Sequence, residues 1–157
     1  MTTKSTLQKK EWIHRFTCNI AYWHGDTFLV ADINGGGGKS PAVWAQLTPT
    51  EYRQINENMK WEIWAHPLEQ STIVVLWNRD KQWVETDHGD EFDIKFHWYL
   101  EGTDIKKPNK TIPVKFRSVL YPSLFLDLEV NNPVHATPFV SWESHNGPTQ
   151  QFYLHVL

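Results

Sequence analysis

Three stretches of this chain repeat one plan, and that echo restricts the fold more than any other feature. Each has a short apolar strand, a turn, a second strand and an aspartate near its end. They are FTCNIAYWHGDTFLVADI (residues 16–33), STIVVLWNRDKQWVETD (71–87) and VKFRSVLYPSLFLDLEV (114–130). The turns fall at His24-Gly25-Asp26, Asn78-Arg79-Asp80 and Tyr121-Pro122-Ser123, and the marker aspartates are Asp32, Asp87 and Asp127. A loop after each marker leads into a further strand, over residues 40–47, 91–100 and 136–144. A fourth strand closes the first unit over 58–64 and the third over 149–157, and the second unit closes near 110–116. Short runs bounded by Gly, Pro, Asn and Asp are the all-β pattern. One such unit cannot bury its apolar face alone, whereas three around a shared axis can.

The expectation is one all-β domain over residues 1–157. An N-terminal arm (1–12) precedes units at 13–66, 67–113 and 114–157. Twelve strands follow from the count, six closing a short barrel and the remaining hairpins capping its end. Trp61, Phe116 and Tyr153 are the expected inward-facing residues that seal it. The unequal marker spacing puts insertions in loops at 49–58 and 102–110. Residues 48–59 (TPTEYRQINENM) carry the one helix signal, with Thr48 as cap, Pro49 in the first turn and Glu51 three residues after Thr48.

Composition narrows the function. Nine Trp, five Tyr and eight Phe in 157 residues are more aromatic surface than a strand core alone requires. Most of them fill the sheets, and a few exposed ones supply flat faces for a ligand. The formal net charge of −3 gives no electrostatic reason to expect nucleic acid. No apolar run approaches the roughly 20 residues of a membrane span. The polar, basic start (MTTKSTLQKKEW) lacks the apolar stretch of a secretory signal, so a cytoplasmic location is expected. The lone cysteine, Cys18, reads as a small buried apolar residue and builds no disulfide framework.

Catalytic, cofactor and metal signals are weak. Gly35–Gly38 with Lys39-Ser40 imitates the end of a phosphate loop, but Ile33 stands where its opening glycine belongs, and Pro41 with the apolar run after it reads as a strand, not a helix. The eight histidines lack zinc-enzyme spacing, and His88 with Asp87 and Asp90 reads more readily as a solvated turn than as a cation site. No Gly-x-Ser-x-Gly elbow is present. The chain is therefore expected to be non-catalytic and to need no cofactor or metal.

The third unit resembles a repeat of the ricin B-type β-trefoil lectins through LFLDLEV, TPFVSW and NGPTQQFYL. That family's repeat carries an aspartate near its start, an aromatic about fifteen residues later, and an Asn-Gln pair leading into Gln-x-Trp. Asp127 matches the aspartate, Trp142 the aromatic, Gln150-Gln151 the pair, and Gln151-Phe152-Tyr153 stands in for Gln-x-Trp. The first unit matches more weakly, through Asp32, Val43-Trp44 and Asn58-Met59-Lys60-Trp61, and the second keeps little beyond Asp87. Size, the missing signal peptide and the missing disulfides are similar to cytosolic lectins of fungal fruiting bodies.

The resemblance implies a non-catalytic lectin with glycans or glycoproteins as partners. Asp127 would accept from sugar hydroxyls, Trp142 would stack on the pyranose, and Gln150 would reach a neighbouring hydroxyl. Gln151 would tie the loop to its strand, and Asp32 with Asn58 would form a second site. Shallow sites of this kind bind single sugars at about millimolar Kd, which favours several sites or a homodimer. The plainer alternatives are that Asp127 organises a turn and that Trp142 is core. The rival function is a protease inhibitor or other protein-binding module acting through the loops at 49–58 and 102–109.

Overall fold

β1 (Ile13–His24) shows how the alternation builds this molecule. Phe16, Cys18, Ile20 and Tyr22 occur at every second position and all enter the main core. Side chains on a strand alternate between faces, so Asn19 and Ala21 point the other way. Both are buried nonetheless, because a second layer covers the middle of β1. The structure, a computed structural model, describes residues 11–32, 44–47, 59–68, 73–78, 81–82, 97–129, 133 and 137–157. Residues 48–58 of the candidate helix, Asn58 among them, Asp87 and His88, and the Gly35–Gly38 run lie outside the described residues.

Six strands close a barrel. β1 pairs antiparallel with β4 (Trp61–Ala65), and β4 pairs with β5 (Ile73–Asn78). β5 pairs with β7 (Trp98–Glu101), and β7 with β8 (Lys115–Ser118). β11 (Tyr153–Val156) returns to β1. The last seam, between β8 and β11, is sealed at Val114 and Phe152, whose backbone groups exchange hydrogen bonds of 2.7 and 2.9 Å. Closure leaves no barrel edge open for pairing with another chain.

The remaining strands are hairpin arms. β2 (Thr27–Asp32) folds back from β1 through Gly25, whose φ of 61° is the left-handed conformation a tight hairpin turn requires. β3 (Trp44–Leu47) pairs with β2, and β6 (Lys81–Gln82) with β5. β9 (Leu124–Leu128) and β10 (Thr137–Glu143) pair along five positions, and β10 also meets β3. At the turn into β9, Leu124 N–H donates to Tyr121 O over 2.8 Å. Residues 102–111 form an irregular loop held by its own side chains. In it Asp104 accepts from Lys106 N–H at 2.9 Å, and Asn109 from Thr111 N–H at 2.9 Å.

The threefold echo is visible in the register. Cys18 pairs with Trp61, Val74 with Trp98, and Val114 with Phe152. These are the same first-strand-to-fourth-strand pair in each unit, and all three aromatics are buried. This is the arrangement expected of a β-trefoil, with two corrections. The equivalent residues are Trp61, Trp98 and Phe152, not Trp61, Phe116 and Tyr153. Phe116 is fully buried, but on a first strand. Tyr153, one place beyond Phe152, faces the other side and packs against Ala21, Val30 and Met59. The second unit closes with Trp98–Glu101, which sequence patterning assigned to a third strand, and the stretch near 110–116 runs instead into β8. Eleven strands fall within the described residues. No helix among those residues is long and apolar enough to cross a membrane.

One residue expected to be peripheral is core, and one expected to be buried is fully so. Trp12, assigned to the N-terminal arm, is buried and meets the rings of His66 and His97 at 5.1 and 4.9 Å. Cys18 is fully buried, and burial pushes its thiol far above the ordinary cysteine value.

Candidate functional site

Alternation along β9 sets the first functional group. Leu126 and Leu128 enter the main core, so Asp127 between them projects to the opposite face. The register with β10 pairs Asp127 with Val140 and Phe125 with Trp142. Directly opposed residues in an antiparallel pair share a face, so Asp127 and Trp142 are diagonal neighbours on the outer surface. Trp142 is 62 % exposed, which excludes the reading of it as a core residue.

The segment after β10 wraps back over Asp127. Gly147 N–H donates to His145 Nδ1 at 2.9 Å, so Nδ1 carries a lone pair. In a neutral imidazole the proton is then on Nε2, which donates to Asp127 Oδ2 at 2.9 Å. Gln150 Nε2 donates to the same oxygen at 3.1 Å and to Glu143 O at 2.7 Å. Its Oε1 accepts from His145 N–H at 3.1 Å. A 3-10 turn (Pro148–Gln150) brings Gln150 into place, and Gln151 N–H donates to Pro148 O at its end.

The result is an aspartate with one side held. The Asp127 side chain is 5 % exposed, its Oδ2 takes two donors, and its Oδ1 has no hydrogen-bond partner in the protein. Asp127 lines an open cleft of about 730 Å³. Trp142, Glu129, Ser141, Val140 and Thr149 also line the cleft. Chemically this combines a fixed hydrogen-bond acceptor, a flat apolar face and hydroxyl groups. No group of three or more His, Cys, Asp or Glu among the described residues could hold a metal ion.

The structure thus brings Asp127, Trp142 and Gln150 together and changes what Gln150 does. It is fully buried and its amide hydrogen bonds are made inside the protein, so it holds Asp127 instead of projecting into the cleft. Because Phe152 is the buried aromatic, the Gln-x-aromatic signature is Gln150-Gln151-Phe152, one residue earlier than the sequence suggested. Thr149 then occupies the place of the family's asparagine and lines the cleft. Gln151 is half-buried. His145, which sequence reasoning passed over, is the second clamp on Asp127. Its one legible signal was its place in the turn sequence His145-Asn146-Gly147-Pro148.

The first unit keeps the aspartate but differs at the positions of Trp142 and Gln150. Asp32 pairs with Trp44 as Asp127 pairs with Val140. Gln46, which pairs with Val30, therefore takes the position of Trp142, and Met59, two before Trp61, takes that of Gln150. Asp32 is buried. His97 packs on Trp12 and His66.

No family model matches the sequence, and no curated protein matches it. Solved structures do match in shape. A mosquitocidal holotoxin superposes with a TM-score of 0.58 at 17% identity over 92% of this chain, which spans only 18% of the toxin. The C-half of an earthworm R-type lectin, in complex with GalNAc, gives 0.56 at 16% identity, covering 90% of this chain and 99% of the lectin half. The designed threefold-symmetric protein ThreeFoil gives 0.58 at 11% identity, covering 90% and 99%. At these identities the likeness is one of fold, and the fold is the β-trefoil found in ricin B-type lectins.

Proposed function

We propose that this protein is a non-catalytic carbohydrate-binding protein whose sugar site is the third-unit cleft. One observation carries the reading: Asp127, locked by His145 and Gln150 through Oδ2, lines the same cleft as the exposed ring of Trp142. A sugar offers the matching chemistry. Its hydroxyls donate to a carboxylate in fixed directions, and the C–H face of its ring packs on an indole. The GalNAc-bound earthworm lectin of the same fold supports the reading. At the positions of Trp142 and Gln150 the first unit carries Gln46 and Met59, and the proposal is therefore made for the third unit.

A glycan array followed by calorimetry tests this. Binding is expected for a subset of glycans, at about millimolar Kd for single sugars. Trp142→Ala and Asp127→Asn should each remove it while the circular dichroism spectrum is unchanged. Absence of binding to every glycan, with inhibition of a protease instead, would transfer the assignment to the exposed loops.

A further inference from the structure

His145 uses both of its ring nitrogens, one as acceptor and one as donor, and only a neutral imidazole can do both. Nδ1 accepts from Gly147 N–H at 2.9 Å, and Nε2 meets Asp127 Oδ2 at 2.9 Å. The ring is seated directly on the Gly147 backbone, where an added Cβ would come within 3.0 Å of Nδ1. A further proton on this ring has one place to go, Nδ1, where it would point at the Gly147 N–H. Two donors cannot share that 2.9 Å contact. The His145 side chain is 37 % exposed, so solvent protons reach it. The Nε2 contact would survive, because a charged donor binds a carboxylate more strongly than a neutral one does. Gly147 is therefore the partner that gives way.

That partner is attached to one wall of the cleft. Gly147 leads into Pro148, whose ring fixes its φ and which opens the 3-10 turn carrying Thr149 and Gln150. His145 N–H donates to Gln150 Oε1, and Thr149 Oγ1 lies 3.5 Å from His145 Nε2. His145, Thr149 and Asp127 all line the cleft. Displacing Gly147 from the ring thus displaces the wall. Among the described residues, the titratable groups that share the cleft with His145 are Asp127 and Glu129, both from the β9 side. Glu143 ends the adjoining β10 and offers its carbonyl to Gln150.

We infer that His145 is a proton-operated control on the cleft: ligand binding requires its neutral ring, and acidification releases the Gly147–Gln150 turn and weakens binding. The inference rests on the carbohydrate-binding reading above and names the regulation of that site. Histidine is the side chain that ordinarily changes charge between about pH 5 and pH 8. Loss of one hydrogen bond from the preformed wall corresponds to a fall of about tenfold in affinity across that range.

The test reads the full chain twice. In the free protein, the Gly147 amide is followed by NMR from about pH 7.5 to about pH 5. Its signal should move together with the His145 ring signals, and its hydrogen exchange, relative to an exposed loop amide, should speed up several-fold. For binding, an array of neutral glycans is read at the two ends of that range, with circular dichroism confirming the fold at each. Wild-type binding should be about tenfold weaker at the acid end. His145→Gln keeps a donor for Asp127, and His145→Asn keeps an acceptor for Gly147 N–H, as Asn does in an Asx turn. Neither replacement titrates, so a variant that binds should do so equally at both ends. Both variants retain Asp127, Glu129 and His155, so a pH dependence that persists in them belongs to other groups and overturns the inference. Undiminished wild-type binding in acid overturns it too, as does a Gly147 amide that ignores the titration of His145. Those outcomes leave the carbohydrate-binding reading standing. An array without binding at either end removes that reading, and the Gly147 amide still decides whether the turn responds to the proton.

Discussion

Replacing Gln150 with methionine is the most informative single change, because the chain already carries methionine at the corresponding place of its first unit, Met59. The two side chains are similar in length, so Gln150→Met leaves little void. What it removes is specific: the 3.1 Å donation to Asp127 Oδ2, the 2.7 Å donation to Glu143 O and the 3.1 Å bond accepted from His145 N–H. A hydrogen bond to a charged group contributes about 1.5–3 kcal/mol and a neutral one about 0.5–1.5 kcal/mol. The gain from burying a thioether offsets part of this, so a loss of about 3 kcal/mol in unfolding free energy is expected. Asp127 would also keep only His145 as a clamp, which should weaken sugar binding about tenfold through lost preorganisation. Urea denaturation and calorimetry on the same preparation read both effects. If Gln150 touched the sugar directly, binding would collapse while stability changed by less than about 1 kcal/mol. That outcome would refute the clamp.

Other consequences follow from the barrel. Phe152→Ala, at the third sealing position, should cost about 3–5 kcal/mol, and Val114→Ala across the seam should be milder, both measurable by denaturation. His155 is held below its ordinary value of 6.5 by burial and then by the charge of Lys110. Protons therefore go to the unfolded chain first, and this residue's contribution to stability is complete above pH 6.5 and falls as the pH drops below it. His155→Gln should flatten that part of the stability–pH curve. Cys18 should resist thiol reagents in the native protein and react fully in denaturant, because burial disfavours its thiolate. Labelling at the native rate of a free thiol would contradict its placement.

Much of the candidate site was legible because the third unit resembles a lectin repeat, with particular residue types at particular distances along the chain. Asp127 and Trp142 follow from that resemblance, and the structure places them as diagonal neighbours through the β9–β10 register. Gln150 was found but given the wrong task. The error was one residue in the Gln-x-aromatic frame, and one residue on a strand is the difference between inside and outside. Phe152 and Tyr153 are both aromatic and adjacent, so composition could not choose between them. His145 escaped because a lone histidine has no sequence partner, and its partners, Asp127 and Gly147, become evident only when the segment after β10 folds back over β9.

The chain by itself determined that it would be β-structure in three echoing units, since period-two alternation and turn residues act between near neighbours. It also determined which residue types stand at each marker. Only the closed barrel decided which aromatic of each adjacent pair points inward, that Trp98 and not a later residue completes the second unit, and that Gln150 grips Asp127 from behind. Those choices depend on the packing of strands far apart in sequence, where burying one face of a strand obliges the next residue to take the other.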